Sequence, residues 1–215
     1  MLEAEQRQGK VNNGKEITMF ASKKMIAGLV AMGCLVGLSP AALAAGVEFQ
    51  PSSKLWFEGD STLHPYKATS KSWQIKATVT PGKDVSISDI TQLEVVIPAK
   101  SLKSGDGALD NNMYGAMNAD KYPSIKFVMS NAKVTNASGG DIEVTADGTL
   151  TIAGQERTTK IVAKGEVSGD TIKVKGSKEI KMSDFGVKPP VLMFGAIKVT
   201  DKITVKYDLV GKITD

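Results

Sequence analysis

Apolar and polar residues alternate with a period of two along most of this chain, and the pattern restricts what the chain can fold into. Near the C-terminus, Ile203, Val205 and Tyr207 alternate with lysine and threonine, and similar runs recur from residue 54 onwards. Such alternation is typical of antiparallel strands with one face in an apolar interior and the other in water. The sequence therefore predicts an all-β domain.

Turn-forming pairs divide the alternating runs into about eight strands. Gly169-Asp170 predicts a tight hairpin and Thr200-Asp201 a further turn. Eight strands with one apolar face can close into a barrel or stack as a sandwich. The long strands and short hairpins favour an eight-stranded antiparallel barrel, whose interior can hold one small ligand. The predicted strands lie near 54–63, 71–80, 92–98, 124–134, 141–153, 158–168, 171–182 and 195–212.

The second face of these strands argues against an outer-membrane barrel. Barrels of that class have an apolar outer band between two girdles of aromatic residues. Here the second face carries lysines such as Lys76, Lys126 and Lys173, and aromatic residues make up 6% of the chain. We therefore expect a barrel with water outside and apolar side chains inside.

One segment, 106–119, departs from the strand pattern. Leu109, Met113 and Met117 recur every four residues, which places them on one face of a short amphipathic helix. Asp106 is a suitable N-cap because its carboxylate can accept hydrogen bonds from the first backbone amides of a helix. The sequence predicts one helix inserted between strands, with an apolar face that either fills the core or contacts a ligand.

The N-terminus has the order of a secretory signal. Two lysines precede an uncharged apolar run, 25–38, and Ala42-Leu43-Ala44 follows as an A-x-A cleavage site. We predict a signal peptide over 19–45, cleaved after Ala44 or Ala45, and a mature domain over 46–215. Residues 1–18 precede a second methionine and are interpreted as an extension without a structural role. The alternatives are an uncleaved anchor and a lipoprotein modified at Cys34.

Charge and composition exclude several function classes. The chain has 27 Lys and Arg against 23 Asp and Glu, and removing the leader lowers the net charge from +4 to about +2. Arg157 is then the single arginine, so a phosphate-clamping or base-reading surface is not expected and we predict no nucleic-acid partner. Cys34 is the single cysteine and lies in the predicted leader, so we predict no disulfide, metal or cofactor.

His64 is the single histidine, and it is the best candidate for catalysis in the mature chain. In a strand, Ser61 and His64 point to opposite faces, and about 13 Å of extended chain separates Asp60 from His64. A structural or turn-forming role is therefore favoured for His64. We predict that the protein is not an enzyme, and a hydrolase using Asp60 and His64 ranks last among the alternatives.

Four segments in order resemble the YceI-like family of lipocalin-like, polyisoprenoid-binding proteins. They are GDSTLH at 59–64, DKYPSIKF at 120–127, GTLTIAG at 148–154 and MSDFGV at 182–187. The resemblance implies an eight-stranded antiparallel, lipocalin-like barrel with a helix and a long apolar tunnel. It also implies export to the periplasm and binding of isoprenoid-type lipids.

With this resemblance, the sequence predicts a periplasmic carrier for an isoprenoid or similar long apolar lipid, held non-covalently in a barrel interior without charge. Transient membrane contact during lipid loading is part of the prediction. The alternative is a barrel with a solid core that acts through its outer surface in interaction or stress response. The predicted ligand contacts are Phe127, Met129, Ile152, Phe185, Met193 and Phe194 on the wall, with Leu109, Met113 and Met117 at the opening.

Overall fold

The computed structural model describes residues 44–82, 87–136 and 138–214. The predicted extension 1–18, most of the predicted signal peptide and Cys34 therefore lie outside the described residues. The first strand begins at Ala45, so cleavage after Ala44 would leave that strand whole. The strands are β1 (Ala45–Phe49), β2 (Lys54–Ser61), β3 (Tyr66–Ser70), β4 (Gln74–Pro81), β5 (Ile87–Pro98), β6 (Leu102–Lys103), β7 (Ser124–Asn136), β8 (Asp141–Ile152), β9 (Gln155–Ser168), β10 (Thr171–Lys181), β11 (Val191–Leu192) and β12 (Ile197–Thr214).

Eight of these strands close into an antiparallel barrel, as the sequence predicts. Their order around the barrel is β1-β4-β5-β7-β8-β9-β10-β12, and the pairing of β1 with β12 completes the ring. The closing register aligns Gly46 with Thr214 and Phe49 with Gly211. Closure gives each of these eight strands a neighbour on both sides, which limits the template for edge-to-edge association.

Of the four remaining strands, β2, β3 and β6 extend the barrel wall beyond β1, β4 and β5, and β11 pairs with β12. Strand β12 is long enough to pair with β1 through 211–214 and with β2 through 199–208 on the same edge. Strand β2 then pairs with β3, and β3 with β6. The wall is therefore made of eight long strands, the first three of which are interrupted at 50–53, 71–73 and 99–101.

The structure differs from the sequence predictions at the interruptions and at one turn. Strands β1 and β3 were not predicted, because β1 begins inside the predicted leader and β3 follows Pro65 directly. Thr200-Asp201 is not a turn, since it lies inside β12, where the register against β2 shifts. There the Thr200 hydroxyl donates to the Asp60 carbonyl, and Asp201 accepts hydrogen bonds from Ser183.

Inward-facing residues form two apolar clusters. The first is named the hairpin-end cluster because it includes residues beside the β9–β10 hairpin, and the second the helix-end cluster because it includes the helix. Buried members of the hairpin-end cluster are Ala45, Val47, Val79, Ile87, Ile142, Val144, Ala163, Val167 and Ile172. Buried members of the helix-end cluster are Ala68, Ala99, Leu102, Met117, Ala119, Ile152, Ile180, Phe185 and Val187.

Helix α1 (Gly107–Ala116) lies in the chain between β6 and β7, and it begins as the sequence predicts. The Asp106 carboxylate accepts hydrogen bonds from the backbone amides of Ala108 and Leu109, which caps the helix. The Tyr114 hydroxyl donates to the Leu102 carbonyl at 2.6 Å and fastens the helix to β6. The helix ends at Ala116, and Met117 follows as its C-cap.

Asp110 is the buried residue of α1, and sequence reasoning did not single it out. Its carboxylate accepts hydrogen bonds from the Ser104 amide at 2.8 Å and the Ser104 hydroxyl at 2.7 Å, and the Lys103 ammonium lies 3.5 Å away. The bond from the Ser104 amide, followed by that from its hydroxyl and the Lys103 charge, lowers the pKa of Asp110. These contacts fix the segment before α1.

We expect Asp110→Ala to destabilise the fold by about 2 kcal/mol, because it leaves the Ser104 amide without its charged acceptor. Since the folded-state pKa of Asp110 is lowered, its contribution is present above the unfolded value of 3.8 and is lost as pH falls through the folded value. Urea unfolding at neutral and acidic pH measures both effects. Asp120→Ala is the control, because Asp120 is exposed and its ion pair with Lys100 is at the surface. Equal destabilisation by both variants would contradict the stabilising role of the buried Asp110 carboxylate.

Candidate ligand-binding cavity

An apolar cavity of about 280 Å³ runs inside the barrel. It reaches Val47 and Val79 of the hairpin-end cluster and Met117 and Phe185 of the helix-end cluster. On β12 the lining extends from Val199 to Leu209. That stretch is about 33 Å of strand, or about 25 Å along the barrel axis for strands tilted by about 40°. The cavity is therefore long and narrow.

Six of the nine predicted contact residues lie on the wall of this cavity. Leu109, Met113 and Met117 come from α1 and its C-cap, and Phe185 from the short helical turn after β10. The other two, Phe127 on β7 and Ile152 on β8, are buried. The structure brings these six around one space, and their contact with a ligand stays a prediction.

The other three predicted contacts do not line the cavity. Met129 pairs with Gly148 in the same register in which Phe127 pairs with Leu150, and it is half-buried, but it is not among the residues that line the cavity. Met193 and Phe194 lie in an exposed loop, where the side chains are 72% and 114% exposed. Their hydrophobic character suggested an interior position, but the short strand β11 turns the loop back along β12 and outside the barrel.

Two tyrosines lie flat against the wall because glycines face them across the sheet. Tyr66 pairs with Gly59, and Tyr207 pairs with Gly176. A Cβ atom at either glycine would overlap the opposing phenol ring. Glycine therefore provides the space that each ring occupies, and both tyrosines line the cavity without crossing it. In the sequence, the one sign of this arrangement is that glycines lie within the predicted strands.

Burial changes the ionisation of both tyrosines. The Tyr207 hydroxyl donates to the Val162 carbonyl at 3.0 Å, and burial raises the pKa of Tyr207 to about 12. Burial also raises the pKa of Tyr66, with a smaller contribution from the nearby negative charge of Asp60. Both phenols are therefore neutral at physiological pH and present hydroxyl groups at the edge of an apolar cavity.

We expect the stability of the protein to fall between pH 10 and pH 12 in a way that depends on Tyr207. Because its folded-state pKa is raised, the contribution of Tyr207 is present below the unfolded value of 10 and is lost as pH rises through the folded value. Thermal unfolding across this range measures the effect. The melting temperature of Tyr207→Phe should fall less steeply with pH than that of the wild type. Parallel curves for the two proteins would contradict the expected linkage.

Among the described residues, one charged residue, Lys178, lines the cavity, and it does so with the hydrocarbon part of its side chain, so the cavity surface is apolar as expected. Lys178 shares the inward face of β10 with Val174 and Ile180, and is only partly exposed. The outward neighbour Glu179 forms an ion pair with Lys202. In the sequence, Lys178 falls in register with Ile172 and Val174, but a charged residue does not by itself indicate an inward position.

The predicted catalytic alternative gains no support from the geometry around His64. The Ser61 hydroxyl donates to the His64 backbone carbonyl at 2.8 Å, not to the ring. The His64 ring contacts the Pro65 carbonyl, and the Asp60 carboxylate accepts from the Ser61 amide. These bonds organise an exposed turn between β2 and β3, in keeping with a turn-forming role for His64.

Two further features concern only the residues that the structure describes. Over 44–82, 87–136 and 138–214, no group of three or more His, Cys, Asp or Glu side chains is arranged to hold a metal ion. In the same part of the chain, no helix has both the length and the apolar character that a membrane span requires.

A closed eight-stranded antiparallel barrel with an apolar interior and one helix defines the lipocalin-like class of folds. The profile of the YceI-like domain matches residues 50–211. The chain therefore belongs to the YceI-like family, as the four ordered segments in its sequence indicate. No protein with a curated description matches the chain.

Solved structures share the fold at low sequence identity. BcnA of Burkholderia cenocepacia is 22% identical with a TM-score of 0.59, over 74% of this chain and 95% of BcnA. A polyisoprenoid binding domain from Saccharophagus degradans is 14% identical with a TM-score of 0.61, over 80% of this chain and 99% of that domain. The YceI protein of Campylobacter jejuni is 21% identical with a TM-score of 0.56, over 70% and 85%.

Proposed function

We propose that this protein is an exported, periplasmic carrier that holds one long-chain apolar lipid, isoprenoid or similar, inside its barrel. The observation that carries the proposal is the continuous apolar cavity between the two clusters. Its volume of about 280 Å³ lies just below the roughly 300–1,000 Å³ that is usual for small-molecule sites. A solid-core barrel, the alternative function, would have this space filled by its own side chains.

The physical basis of binding is the removal of hydrocarbon from water. Each methylene group that enters an apolar site contributes about 0.8 kcal/mol. A long, narrow cavity suits one extended chain because neighbouring side chains can contact it on all sides. The flexible side chains of Met113, Met117 and Met182 line the cavity and can adapt to branches or double bonds. The polyisoprenoid-binding neighbour from Saccharophagus degradans supports the same type of ligand.

Extraction of the purified protein tests the proposal directly. Protein secreted into the periplasm of a bacterial host is extracted with organic solvent, and the extract is examined by mass spectrometry. We expect a lipid at a stoichiometry near one per chain. A clean extract, together with no uptake of added farnesol, geranylgeraniol or oleyl alcohol, would overturn the carrier function. A signal at the mass of the chain cleaved after Ala44 or Ala45 would support export by the predicted leader.

Lipid loading needs contact with a membrane, and an exposed apolar patch next to the cavity suits that role. Leu63, Val191, Met193 and Phe194, here called the apolar tip, are each more than half exposed. The turn between β2 and β3 is joined to the loop before β12 because the Thr62 hydroxyl donates to the Ala196 carbonyl. Solvent-exposed apolar groups of this size are typical of interaction sites.

Backbone conformation and charge both favour a membrane as the partner of the apolar tip. Met193 and Phe194 have φ values of 49° and 53°, a left-handed conformation that side chains disfavour and that is concentrated at functional sites. Lys188 and Lys198 are exposed in the same segment and complement anionic lipid headgroups. Pro190 and Val199, on either side of the loop, line the cavity. The apolar tip is therefore continuous with the route into the barrel.

We expect Phe194→Ser to weaken binding to phosphatidylethanolamine–phosphatidylglycerol vesicles about 30-fold, because a buried phenylalanine contributes about 2 kcal/mol. Vesicle sedimentation measures the effect. Val128→Ser is the matched control, since Val128 is 47% exposed on the outer face of β7. Equal vesicle binding by the two variants would contradict membrane contact through the apolar tip, and uptake of detergent-solubilised lipid should be unchanged in both.

A further inference from the structure

Strands β9 and β10 pair along only part of their length. Their ladder joins Thr171–Gly176 to 163–168 and ends at the Gly176–Ala163 pair. Strand β9 continues to Gln155 and still pairs with β8, and β10 continues to Lys181 and still pairs with β12. Beyond Gly176 and Ala163, the two strands therefore face each other without a ladder. We call this segment of the wall, 155–162 and 177–181, the lateral gap.

Tyr207 closes the paired end of the lateral gap. Val162 is the first β9 residue beyond the ladder, and its carbonyl accepts a hydrogen bond from the Tyr207 hydroxyl. The tyrosine reaches this carbonyl across Gly176, where there is no side chain in the way. A side chain from inside the barrel thus replaces the missing backbone partner, so the strands can separate there without leaving that carbonyl unpaired.

Lys178 and Ile180 are the β10 residues that face inward along the lateral gap. Lys178 lines the cavity together with Ile161 and Thr159 of β9. Within the described part of the chain, Lys178 takes part in no ion pair, whereas the nearby outward residue Lys175 pairs with Asp208. The hydrocarbon part of the Lys178 side chain therefore lines the cavity, at the place where backbone hydrogen bonds do not join β9 to β10.

We infer that the cavity takes an amphiphile with a single negative charge, whose headgroup pairs with Lys178 at the lateral gap while its chain fills the barrel. A charge in an apolar site is stabilised by a partner of opposite charge and by hydrogen bonds. One lysine balances one carboxylate, and within the described residues the cavity lining contains no second lysine or arginine for a doubly charged headgroup. The inference rests on the proposed function and specifies the ligand as a long-chain carboxylate in preference to a neutral lipid.

Matched ligands with one hydrocarbon chain and different headgroups test the inference. Oleate, oleyl alcohol, oleyl phosphate and oleylamine each compete for the barrel with the fluorescent apolar probe N-phenyl-naphthylamine at neutral pH. We expect the wild type to bind oleate about tenfold more tightly than oleyl alcohol, which is about 1.4 kcal/mol. Oleyl phosphate, which carries more than one negative charge, should bind less tightly than oleate, and oleylamine least tightly.

Substitutions at two lysines of β10 test whether Lys178 causes the preference for oleate over oleyl alcohol. Lys178→Met should bind oleate and oleyl alcohol equally, because it keeps an unbranched side chain and removes the charge. Lys178→Glu should reverse the order and bind oleylamine more tightly than oleate. Lys173→Met is the control, since Lys173 is exposed on the outer face of β10, and it should keep the wild-type preference.

Each outcome separates this inference from the proposed function. If no amphiphile displaces the probe or is taken up, the carrier function fails and the headgroup assignment fails with it. If oleate and oleyl alcohol bind the wild type equally, the cavity binds lipid chains but Lys178 does not select the headgroup. Tighter binding of oleyl phosphate than of oleate would overturn the inference that the ligand headgroup carries a single negative charge. A preference for oleate over oleyl alcohol that persists in Lys178→Met would show that the headgroup does not bind at Lys178.

Discussion

Val95→Trp should reduce the affinity of the barrel for a long-chain lipid by more than about 100-fold while leaving the fold intact. Val95 lies on the inward face of β5, pairs with Ile75 and Phe127, and lines the cavity. An indole at this position would occupy the lumen where the chain of the ligand passes. Excluding about four methylene groups from the site removes about 3 kcal/mol of binding free energy.

Val128→Trp is the matched control for this substitution. Val128 follows Phe127 on β7, faces outward and is 47% exposed, so the same change in side chain leaves the cavity as it is. Titration with retinol or oleate, followed by tryptophan fluorescence quenching, compares the two variants, and circular dichroism confirms that both are folded. Unchanged affinity in Val95→Trp would show that the ligand does not pass through the middle of the barrel.

Alternation of side chains was enough to predict the barrel, because a strand with one apolar face specifies which residues point inward. All eight predicted strands exist, and the helix begins at the Asp106 cap. The residues that alternate in the sequence, such as Leu93, Ile125 and Leu150, line the cavity. The period of two is a local property of the chain, and so it can be read without tertiary information.

Features that depend on pairing between distant strands could not be predicted from the alternation of side chains. The ladder between β9 and β10 ends at Gly176, although the alternation continues to Ile180. Pattern alone does not show where a partner strand separates, and so the lateral gap and the position of Lys178 beside it were not predicted. Met129 illustrates the same limit, because it continues the alternation of Phe127 and yet does not line the cavity.

Exposed apolar residues misled the prediction for a different physical reason. Met193 and Phe194 follow two prolines and have the composition of a buried segment. Their positive φ values and the pairing of β11 with β12 place the loop on the outside of the barrel. Burial of a hydrophobic residue is a tendency of whole structures and not a property of one residue. Met193 and Phe194 are therefore proposed to contact a membrane and not to line the cavity.

Gly176→Ala should destabilise the protein by about 2–3 kcal/mol, a large effect for the addition of one methyl group. The new Cβ atom would overlap the Tyr207 ring, which would have to leave the wall and give up its hydrogen bond to Val162. Overpacking of this kind costs about 1–3 kcal/mol, and the unpaired carbonyl adds to it. The displaced phenol would also enter the cavity, so lipid affinity should fall together with stability.

A double-mutant cycle between Gly176 and Tyr207 tests this coupling, because only residues in contact give a large interaction energy. In a Tyr207→Leu background, Gly176→Ala should cost less than about 1 kcal/mol, since the ring that opposes the new methyl group is gone. Gly115→Ala is the control of opposite sign: a Cβ atom there meets nothing within 4 Å, and alanine in a helix is more stable than glycine by up to about 1 kcal/mol. Urea unfolding of the four proteins of the cycle gives the interaction energy. A value near zero would mean that glycine at 176 serves the backbone alone, and that Tyr207 is held against the wall by other contacts.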